Sequence, residues 1–234
     1  MHTVSLDWIT PDTERVIARH ARVSTSNPDR EEYVRLVNHC IKHGHWSILE
    51  QVNASFEIIT SRAISTQLIR HRTFAFQELS QRYCNPFEVI TDNHDNPAHF
   101  ELRKQAEKNR QSSTDAVEEN IRRGFRDRID RLDVELRDLY SEMLEAGVAR
   151  ECARNILPLY TPTRIHMQGT VRSWCHWVGL RGKEDTQLEH RTLATQIAML
   201  LALEIPTVTK ALVGSDDPAL EGWKCLLKSD GTQD

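Results

Sequence analysis

The chain has 234 residues, of which 39% are hydrophobic and 27% are charged, and its formal net charge is -4. This length suits one globular domain of ordinary size, which we place at 1–234. The acidic balance argues against nucleic-acid binding by bulk electrostatics. We therefore expect a small anion as partner, held by a local cluster of basic side chains.

The number and spacing of the cysteines and the sequence of the amino terminus indicate the cellular compartment of the protein. The five cysteines are odd in number and form no CxxC pair, which fits reduced thiols better than a disulfide framework. Residues 1–4 lack a basic region followed by an apolar run, and no stretch approaches the length of a membrane span. We expect a soluble cytoplasmic protein with no membrane partner.

The first half of the chain alternates strand and helix patterns. Val4, Leu6 and Trp8 have the period of two that is typical of a strand, and so do the apolar residues of 52–58. Between them we predict two helices. The first begins at the cap formed by 10–12 and ends near 24–28, and the second runs from about 28 or 29 to a C-cap at Gly44.

A third helix is predicted from a cap at Thr60 or Ser61 through Ile69. In this helix Gln67, Arg70 and His71 stand at i, i+3 and i+4, so their side chains would share one face. Residues 73–76 are then expected to be extended or looped, and a second apolar run follows at 87–90.

The second half of the chain is mostly helical in pattern. We predict a loop at 91–97, a charged and ion-paired helical hairpin at about 98–146, a strand at 163–169, and helices at 171–180 and 187–203. The polar residues of about 214–234 are expected to be peripheral. The fold class is therefore α/β in the mixed α+β sense, with a small, largely antiparallel sheet flanked by helices and a helical lobe from about residue 98.

Anion-binding chemistry is concentrated in residues 67–83. Arg70, His71 and Arg72 form a basic triplet, and Ser80 and Arg82 follow within about a dozen residues. Guanidinium groups are forked, permanently charged donors for phosphate oxygens. Basic triplets also commonly decorate solvated helix ends, and charge alone leaves both interpretations open.

Three histidines crowd the end of the second predicted helix. His39 and His43 have the i, i+4 spacing that can bind a metal ion, and His45 is close by. No carboxylate or cysteine completes a ligand shell, and histidine also suits a helix C-terminus because of the helix dipole. We predict no metal site.

The spacing of the basic triplet is also long and specific. Arg70-His71-Arg72, seven residues and then Ser80 resembles the RHR-x7-S signature of the flavin-dependent thymidylate synthases. The similarity extends over most of the chain. Its segments are 22–24, 44–50, 150–154 and 179–181.

The resemblance implies a homotetramer, with active sites formed between subunits, that methylates dUMP with 5,10-methylenetetrahydrofolate and draws its reducing power from NADPH through FAD. It implies flavin contacts from Ser24, His45, Ser47, Arg70, His71, Arg72, Gln77, Glu78, His176, Leu180 and Asp185. It implies dUMP contacts from Gln67, Arg70, Glu78, Leu79, Ser80, Arg82, Arg154 and Arg181. His45 and Tyr83 would flank the folate.

Two of these residues are candidates for catalysis. Arg181 could polarise the uracil carbonyl and stabilise negative charge as the ring is attacked. Ser80 is the weaker candidate, because nothing in the sequence identifies a base that would activate it as a nucleophile.

Three departures from the family pattern keep other activities open. Gln77 replaces an Asn, Asp185 stands where a His is common, and His176 stands where an Asn is common. An alternative product is a hydroxymethylated pyrimidine deoxynucleotide, because water could trap the same carbon unit. A non-catalytic nucleotide or nucleic-acid binding protein built on the basic triplet is a second alternative, marked by salt-sensitive oligonucleotide binding.

Overall fold

The structure is a computed structural model that describes residues 2–90 and 100–227. The strands are β1 (Thr3–Ile9), β2 (Asn53–Ser61), β3 (Ala75–Glu78), β4 (Arg103–Gln105), β5 (Ser113–Ala116) and β6 (Pro162–Thr170). The helices are α1 (Thr13–Ala21), α2 (Val34–Lys42), α3 (Arg62–Leu68), α4 (Pro86–Val89), α5 (Glu119–Glu145), α6 (Arg150–Ala153), α7 (Val171–Arg181), α8 (Leu188–Glu204), α9 (Pro206–Val213) and α10 (Glu221–Leu227). The loop predicted at 91–97 lies outside the described residues.

The main sheet has the strand order β1-β2-β6-β3. Its two central strands bury the apolar side of their alternating pattern, with Phe56 and Ile58 on β2 and Ile165 and Met167 on β6 fully buried. Alternation with a period of two places these side chains on one face of the sheet. The predicted class, a mixed α/β fold with a small sheet flanked by helices, is confirmed.

The chain divides into two compact units. Unit 1 contains Met1–His2, Ile59–Arg70 and Gln77–Ile165, and unit 2 contains Thr3–Ile58, His71–Phe76 and His166–Asp234. Strands β2, β3 and β6 each contribute residues to both units. The sequence signature is therefore shared between the units, since Arg70 belongs to unit 1 and His71 to unit 2.

The first two helices are shorter than predicted. Helix α1 ends at Ala21, and α2 begins only at Val34. The side chain of Arg22 explains both boundaries, because it donates hydrogen bonds to the carbonyl groups of Arg30 (2.6 Å) and Glu32 and holds that segment outside a helix. The predicted C-terminal glycine is confirmed, since Gly44 follows α2 with φ +70°, a conformation that favours glycine.

Helix α3 ends at Leu68, so the prediction that Gln67, Arg70 and His71 share a helix face is wrong. Within unit 2, the next residues are anchored elsewhere. Phe74 is buried, and its ring centroid lies 4.6 Å from that of Trp174. A Cβ added to Gly169 would lie 2.5 Å from the Phe74 ring, so only glycine leaves room for it. This packing holds Phe74 in the core of unit 2.

The prediction of a helical hairpin over about 98–146 is wrong in its first half. Strands β4 and β5 form an antiparallel pair there, and only α5 is helical. Residues 103–116 carry no apolar stripe at helical spacing that could have supported a first helix. The predicted ion pairs are present on α5, where Arg137 contacts Asp133 at 2.9 Å.

The expectation that residues after Gly214 are peripheral is wrong for α10. Trp223 is fully buried, and its indole nitrogen donates a hydrogen bond of 2.9 Å to the carbonyl oxygen of Cys175 on α7. Gly179 and Gly222 let the two helices approach closely, since a Cβ on Gly222 would lie 2.4 Å from the Val178 carbonyl oxygen. Helix α10 is thus part of the core of unit 2.

Across residues 2–90 and 100–227, no helix combines the length and the apolar character that crossing a membrane requires.

Candidate active site

His71 and Arg181 meet in unit 2, although 110 residues separate them. His71 follows the end of α3, and Arg181 is the last residue of α7. The Nε and Nη2 atoms of Arg181 lie 3.1 Å and 2.9 Å from His71 Nε2. Burial, together with the charge of Arg181, lowers the pKa of His71 to about 4. His71 is therefore a neutral acceptor at neutral pH, and its proton is on Nδ1.

Two further rings, those of Trp177 and His190, lie beside His71. The ring centroid of His71 lies 6.3 Å from Trp177 and 6.3 Å from His190, and those two rings are 5.5 Å apart. His190 is fully buried, and this burial, with the charge of Arg181, lowers its pKa to about 3. Both imidazoles are therefore uncharged next to a half-buried guanidinium group. No sequence pattern pointed to His190, because an isolated histidine in an apolar helix carries no motif.

A cavity of about 570 Å³ opens beside His71, and we call it the His71 cavity. Its lining residues are Glu50, His71, Thr73, Phe74, Thr170, Arg172, Ser173, His176, Trp177 and Leu180. Three of these, His71, His176 and Leu180, were predicted to contact a flavin. The others were missed, because they fall outside the residues carried over from the family.

The polar wall of the His71 cavity is held by an ion pair. Arg172 Nη1 lies 2.6 Å from Glu50 Oε1, and the Thr170 hydroxyl donates to Glu50 Oε2 at 3.3 Å. Burial and the charge of Arg172 lower the pKa of His176, while Asp217 and Glu50 raise it in part. The lining of the cavity thus combines fixed polar groups with aromatic side chains.

These walls fit a flavin ring system. An isoalloxazine needs apolar surfaces for its faces and hydrogen-bond donors for its polar edge. Phe74 and Trp177, which are 9% and 2% exposed, contribute part of the apolar lining, and Arg172 and the Nδ1 proton of His71 can supply the donors. The volume lies within the range of about 300 to 1,000 Å³ that is usual for cofactor and ligand sites.

The second half of the signature lies in unit 1. Ser80 begins a turn in which its carbonyl oxygen accepts hydrogen bonds from the backbone of Tyr83 (2.9 Å) and Cys84 (3.1 Å). The side chains of Ser80 and Tyr83 are exposed there, and Tyr83 is 87% exposed. Arg82 Nη2 lies 2.8 Å from Glu151 Oε2, which brings this turn to α6.

Arg154 follows α6 directly as its C-cap residue, so Arg82 and Arg154 are both associated with the same short helix. The turn that begins at Ser80 and the end of α6 together present two guanidinium groups and a hydroxyl. This donor set suits a phosphate, although Glu151 already occupies part of the Arg82 fork.

Glu78 has partners that the sequence did not predict. Within unit 1 it pairs with Arg62 and accepts a hydrogen bond of 3.0 Å from Thr163. The next residue, Leu79, donates its backbone N–H to the carbonyl oxygen of Arg164 at 2.9 Å. Glu78 thus fixes the end of β3, and its proposed contacts with ligand remain a prediction.

Other predicted residues do not line the His71 cavity. In unit 1 they are Gln67, Arg70 and Gln77, and in unit 2 they are Ser24, His45, Ser47, Arg72 and Asp185. His45 instead lies beside two other histidines, with ring centroids 6.1 Å from His39 and 6.3 Å from His43. Among the described residues, no group of three His, Cys, Asp or Glu side chains is arranged to hold a metal ion.

Comparison with known proteins adds a family match. The model of the family described as thymidylate synthase complementing protein matches residues 6–207. The chain is 42% identical over 199 residues to the flavin-dependent thymidylate synthase of Synechocystis sp., which is 85% of this chain and 89% of that protein. It is also 42% identical over 203 residues to the probable flavin-dependent thymidylate synthase of Paramecium bursaria Chlorella virus 1, covering 85% and 90% of the two chains.

A solved structure supports the fold. The UMP/dUMP methylase PolB from Streptomyces cacaoi, crystallised with 5-Br dUMP, superposes with a TM-score of 0.73 at 21% sequence identity. The superposition covers 92% of this chain and 96% of that one. At this identity the likeness concerns the arrangement of helices and strands.

Proposed function

The chain belongs to the thymidylate synthase complementing protein family, and we infer that it is a flavin-dependent thymidylate synthase that converts dUMP to dTMP. It is a methyltransferase and a flavoprotein of dTMP biosynthesis. The structural observation that carries this conclusion is the pairing of Arg181 with His71 at the edge of a cavity that fits a flavin.

Arg181 is the proposed catalytic group. A guanidinium has five N–H donors, and the contacts with His71 use two of its nitrogens. The remaining N–H groups can polarise a uracil carbonyl and stabilise the negative charge that develops on the ring during attack. His71 keeps the guanidinium plane fixed, so the donors need no reorganisation during the reaction.

FAD is the proposed form of the flavin, and the His71 cavity is its proposed ring site. A bound flavin supplies the reducing hydride, and NADPH and 5,10-methylenetetrahydrofolate are the proposed co-substrates. Phe74 and Trp177 would form part of the apolar lining of this site, while Arg172 would donate to a ring oxygen. His71, with its proton on Nδ1, can donate a second hydrogen bond to the cofactor.

The dUMP phosphate is assigned to Ser80, Arg82 and Arg154. Two guanidinium groups and a hydroxyl can satisfy several oxygens of a dianionic phosphate. Binding there would draw Arg82 away from Glu151, so the exposed ion pair at 2.8 Å is exchanged for a stronger charge-assisted contact.

An exposed apolar stripe on α5 supports the proposed homotetramer. The helix carries apolar residues with the spacing of a heptad repeat: Phe125, Ile129, Leu132, Leu136, Leu139 and Met143. We call this the α5 stripe. Within the described residues, Phe125, Leu132 and Leu139 are 51%, 55% and 44% exposed, so this stripe is not covered by its own chain.

The charges beside the α5 stripe favour a second copy as the partner. Arg128 and Glu135 are exposed and flank the stripe on the same side. In an antiparallel pair of α5 helices, Arg128 of one copy faces Glu135 of the other, and the two-fold axis repeats this contact. The helix is therefore complementary to itself.

A cytoplasmic location is proposed on the state of the thiols, because all five cysteines are free.

The experiment that tests the function has two measurements. The purified protein should show the absorbance of an oxidised flavin, and it should form dTMP from dUMP, 5,10-methylenetetrahydrofolate and NADPH. A hydroxymethylated product with no dTMP would replace the proposed reaction by its alternative, and a colourless protein without product would contradict both.

A further inference from the structure

Three tryptophans of unit 2 are buried, and two of them have partners for their indole N–H groups. Trp174 Nε1 donates to the carbonyl oxygen of Ala54 at 3.1 Å, and Trp223 Nε1 donates to that of Cys175 at 2.9 Å. Trp177, one turn after Trp174 on α7, is only 2% exposed. In the described part of the chain, its Nε1 has no hydrogen-bond partner.

A buried N–H group without a partner is costly. In the unfolded chain it donates to water, and folding removes that hydrogen bond without replacing it. Buried polar groups in folded proteins therefore nearly always have a partner. Local features that break such a rule are expected at functional sites, where the group serves another purpose.

The position of Trp177 indicates what this purpose is. Trp177 lines the His71 cavity, whereas Trp174 and Trp223 do not. Its ring centroid lies 6.3 Å from that of His71, the residue that holds Arg181. A flavin ring carries carbonyl oxygens and ring nitrogens with lone pairs. A flavin in this cavity therefore brings hydrogen-bond acceptors to the side of the one buried indole that lacks an acceptor among the described residues.

A small rotation of the Trp177 indole has to precede the contact, because its nitrogen has almost no solvent-accessible surface. No hydrogen bond to another described residue opposes this rotation, since Nε1 has none to break. The neighbouring rings are Trp174, with its centroid at 5.7 Å, and His190, at 5.5 Å. An N–H group over a ring face is bound more weakly than an N–H group that donates to oxygen. An acceptor on the ligand therefore competes well for this donor.

We propose that Trp177 donates a hydrogen bond from Nε1 to an acceptor atom of the flavin ring in the His71 cavity. This inference rests on the proposed function, which assigns a flavin to that cavity. It gives Trp177 a second role beside its apolar contribution to the lining. Cofactor binding then satisfies a donor that the described residues leave without a partner, and this contributes to the affinity.

The first test measures flavin binding to the full-length protein after its flavin has been removed. Trp177→Phe deletes the N–H group and keeps an aromatic ring. The Kd for FAD, followed by flavin fluorescence, is expected to rise about tenfold, as for the loss of one neutral hydrogen bond. Trp223→Phe is the matched control, because it makes the same change at a buried indole outside the cavity, and its Kd should equal that of the wild type.

The stability of the flavin-free protein should rank these two variants in the opposite order. Trp223→Phe breaks the hydrogen bond to the Cys175 carbonyl, whereas Trp177→Phe removes a donor that had no partner among the described residues. The midpoint of urea unfolding should therefore fall further for Trp223→Phe than for Trp177→Phe. An equal fall would mean that the Trp177 N–H is already satisfied without flavin, and the proposal would be wrong.

A replacement of nearly the same shape separates the N–H group from the size of the ring. Benzothienylalanine at position 177 has a sulfur atom in place of the indole N–H and should also raise the Kd for FAD about tenfold. A rise for Trp177→Phe alone, or an unchanged Kd for both, would overturn the proposal and leave the proposed function in place. A wild-type protein that binds no FAD and forms no dTMP would instead contradict the proposed function.

Discussion

Arg181 makes two hydrogen bonds to one atom, the Nε2 of His71, at 3.1 Å and 2.9 Å. A nitrogen that accepts from a guanidinium carries no proton, so the central residue of the basic triplet is not a cation. It acts as a support for a cation that comes from a distant part of the chain. The triplet therefore carries less positive charge than its sequence suggests, and His71 serves to orient the guanidinium group of Arg181.

The first prediction concerns this contact. Arg181→Lys keeps a positive charge but cannot bind His71 through two nitrogens and polarise a carbonyl at the same time. We expect kcat for dTMP formation to fall about 100-fold, as for loss of one well-placed donor. Arg110→Lys, an exposed change between β4 and β5, is the control. Retention of more than half of the wild-type kcat would contradict the role of Arg181.

A second prediction follows from the buried imidazole of His190. Its pKa is lowered from 6.5 to about 3, so between these values the unfolded chain binds a proton that the folded chain does not. The free energy of unfolding therefore falls as the pH drops below 6.5, by up to about 1.4 kcal/mol per pH unit from this group. In urea unfolding measured from pH 7 to 4.5, the free energy of unfolding should decrease less for His190→Leu than for the wild type. If it decreased equally in both proteins, His190 would not be the source of the pH dependence.

The crossing of α7 and α10 gives a third prediction. Gly222→Ala would place a Cβ 2.4 Å from the Val178 carbonyl oxygen, which the backbone can relieve only by moving. We expect it to lower the free energy of unfolding by about 2 to 3 kcal/mol. Gly124→Ala on α5 meets nothing within 4 Å and should raise it by roughly 0.5 to 1 kcal/mol. Chemical denaturation of the two variants should therefore shift in opposite directions.

The fourth prediction tests the α5 stripe. Leu132→Glu places a charge at the centre of the stripe and should shift the protein from the proposed tetramer towards smaller species in light scattering after size exclusion. Val134→Glu, at a position 59% exposed and away from the stripe, is the matched control and should leave the mass unchanged. Equal masses for both variants would mean that the copies meet on another surface.

A fifth prediction concerns the phosphate of dUMP. Arg154→Gln removes a charged donor while keeping a hydrogen-bonding side chain, and we expect the Kd for dUMP to rise about 30-fold, because a charge-assisted hydrogen bond contributes about 2 kcal/mol. Arg131→Gln, exposed on α5, should leave the Kd as it is. Calorimetric titration with dUMP measures both, and an unchanged Kd for Arg154→Gln would remove that residue from the site.

Alternation predicted the first two strands, and Val4 and Phe56 lie in β1 and β2 as expected. The strand predicted at 163–169 is present as β6, whereas β4 and β5 were missed. Helix ends were less predictable, because they depend on long-range contacts. The Arg22 side chain binds the carbonyl group of Arg30, which lies before the start of α2, and Phe74 packs against Gly169 shortly after the end of α3. Neither contact can be predicted from the helix propensity of the local sequence.

Residues of the candidate site could be predicted only where they belonged to a recognised sequence motif. His71 and Arg181 stood in segments that the family resemblance named, and the structure brings these two side chains together. Glu50, Arg172 and Trp177 were missed, since cavity walls are made by tertiary packing and carry no fixed spacing. The partners of Glu78 were unpredictable for the same reason, because they reach it from other strands and helices of unit 1.

The burial of Trp223 bears on how the protein can be handled. Its hydrogen bond to Cys175 places α10 directly behind the helix that ends in Arg181. A shortened version of the protein that stops at Gly214 would remove this packing and leave the glycine-lined groove of α7 open to water. Helix α10 therefore supports the helix that carries the proposed catalytic residue Arg181.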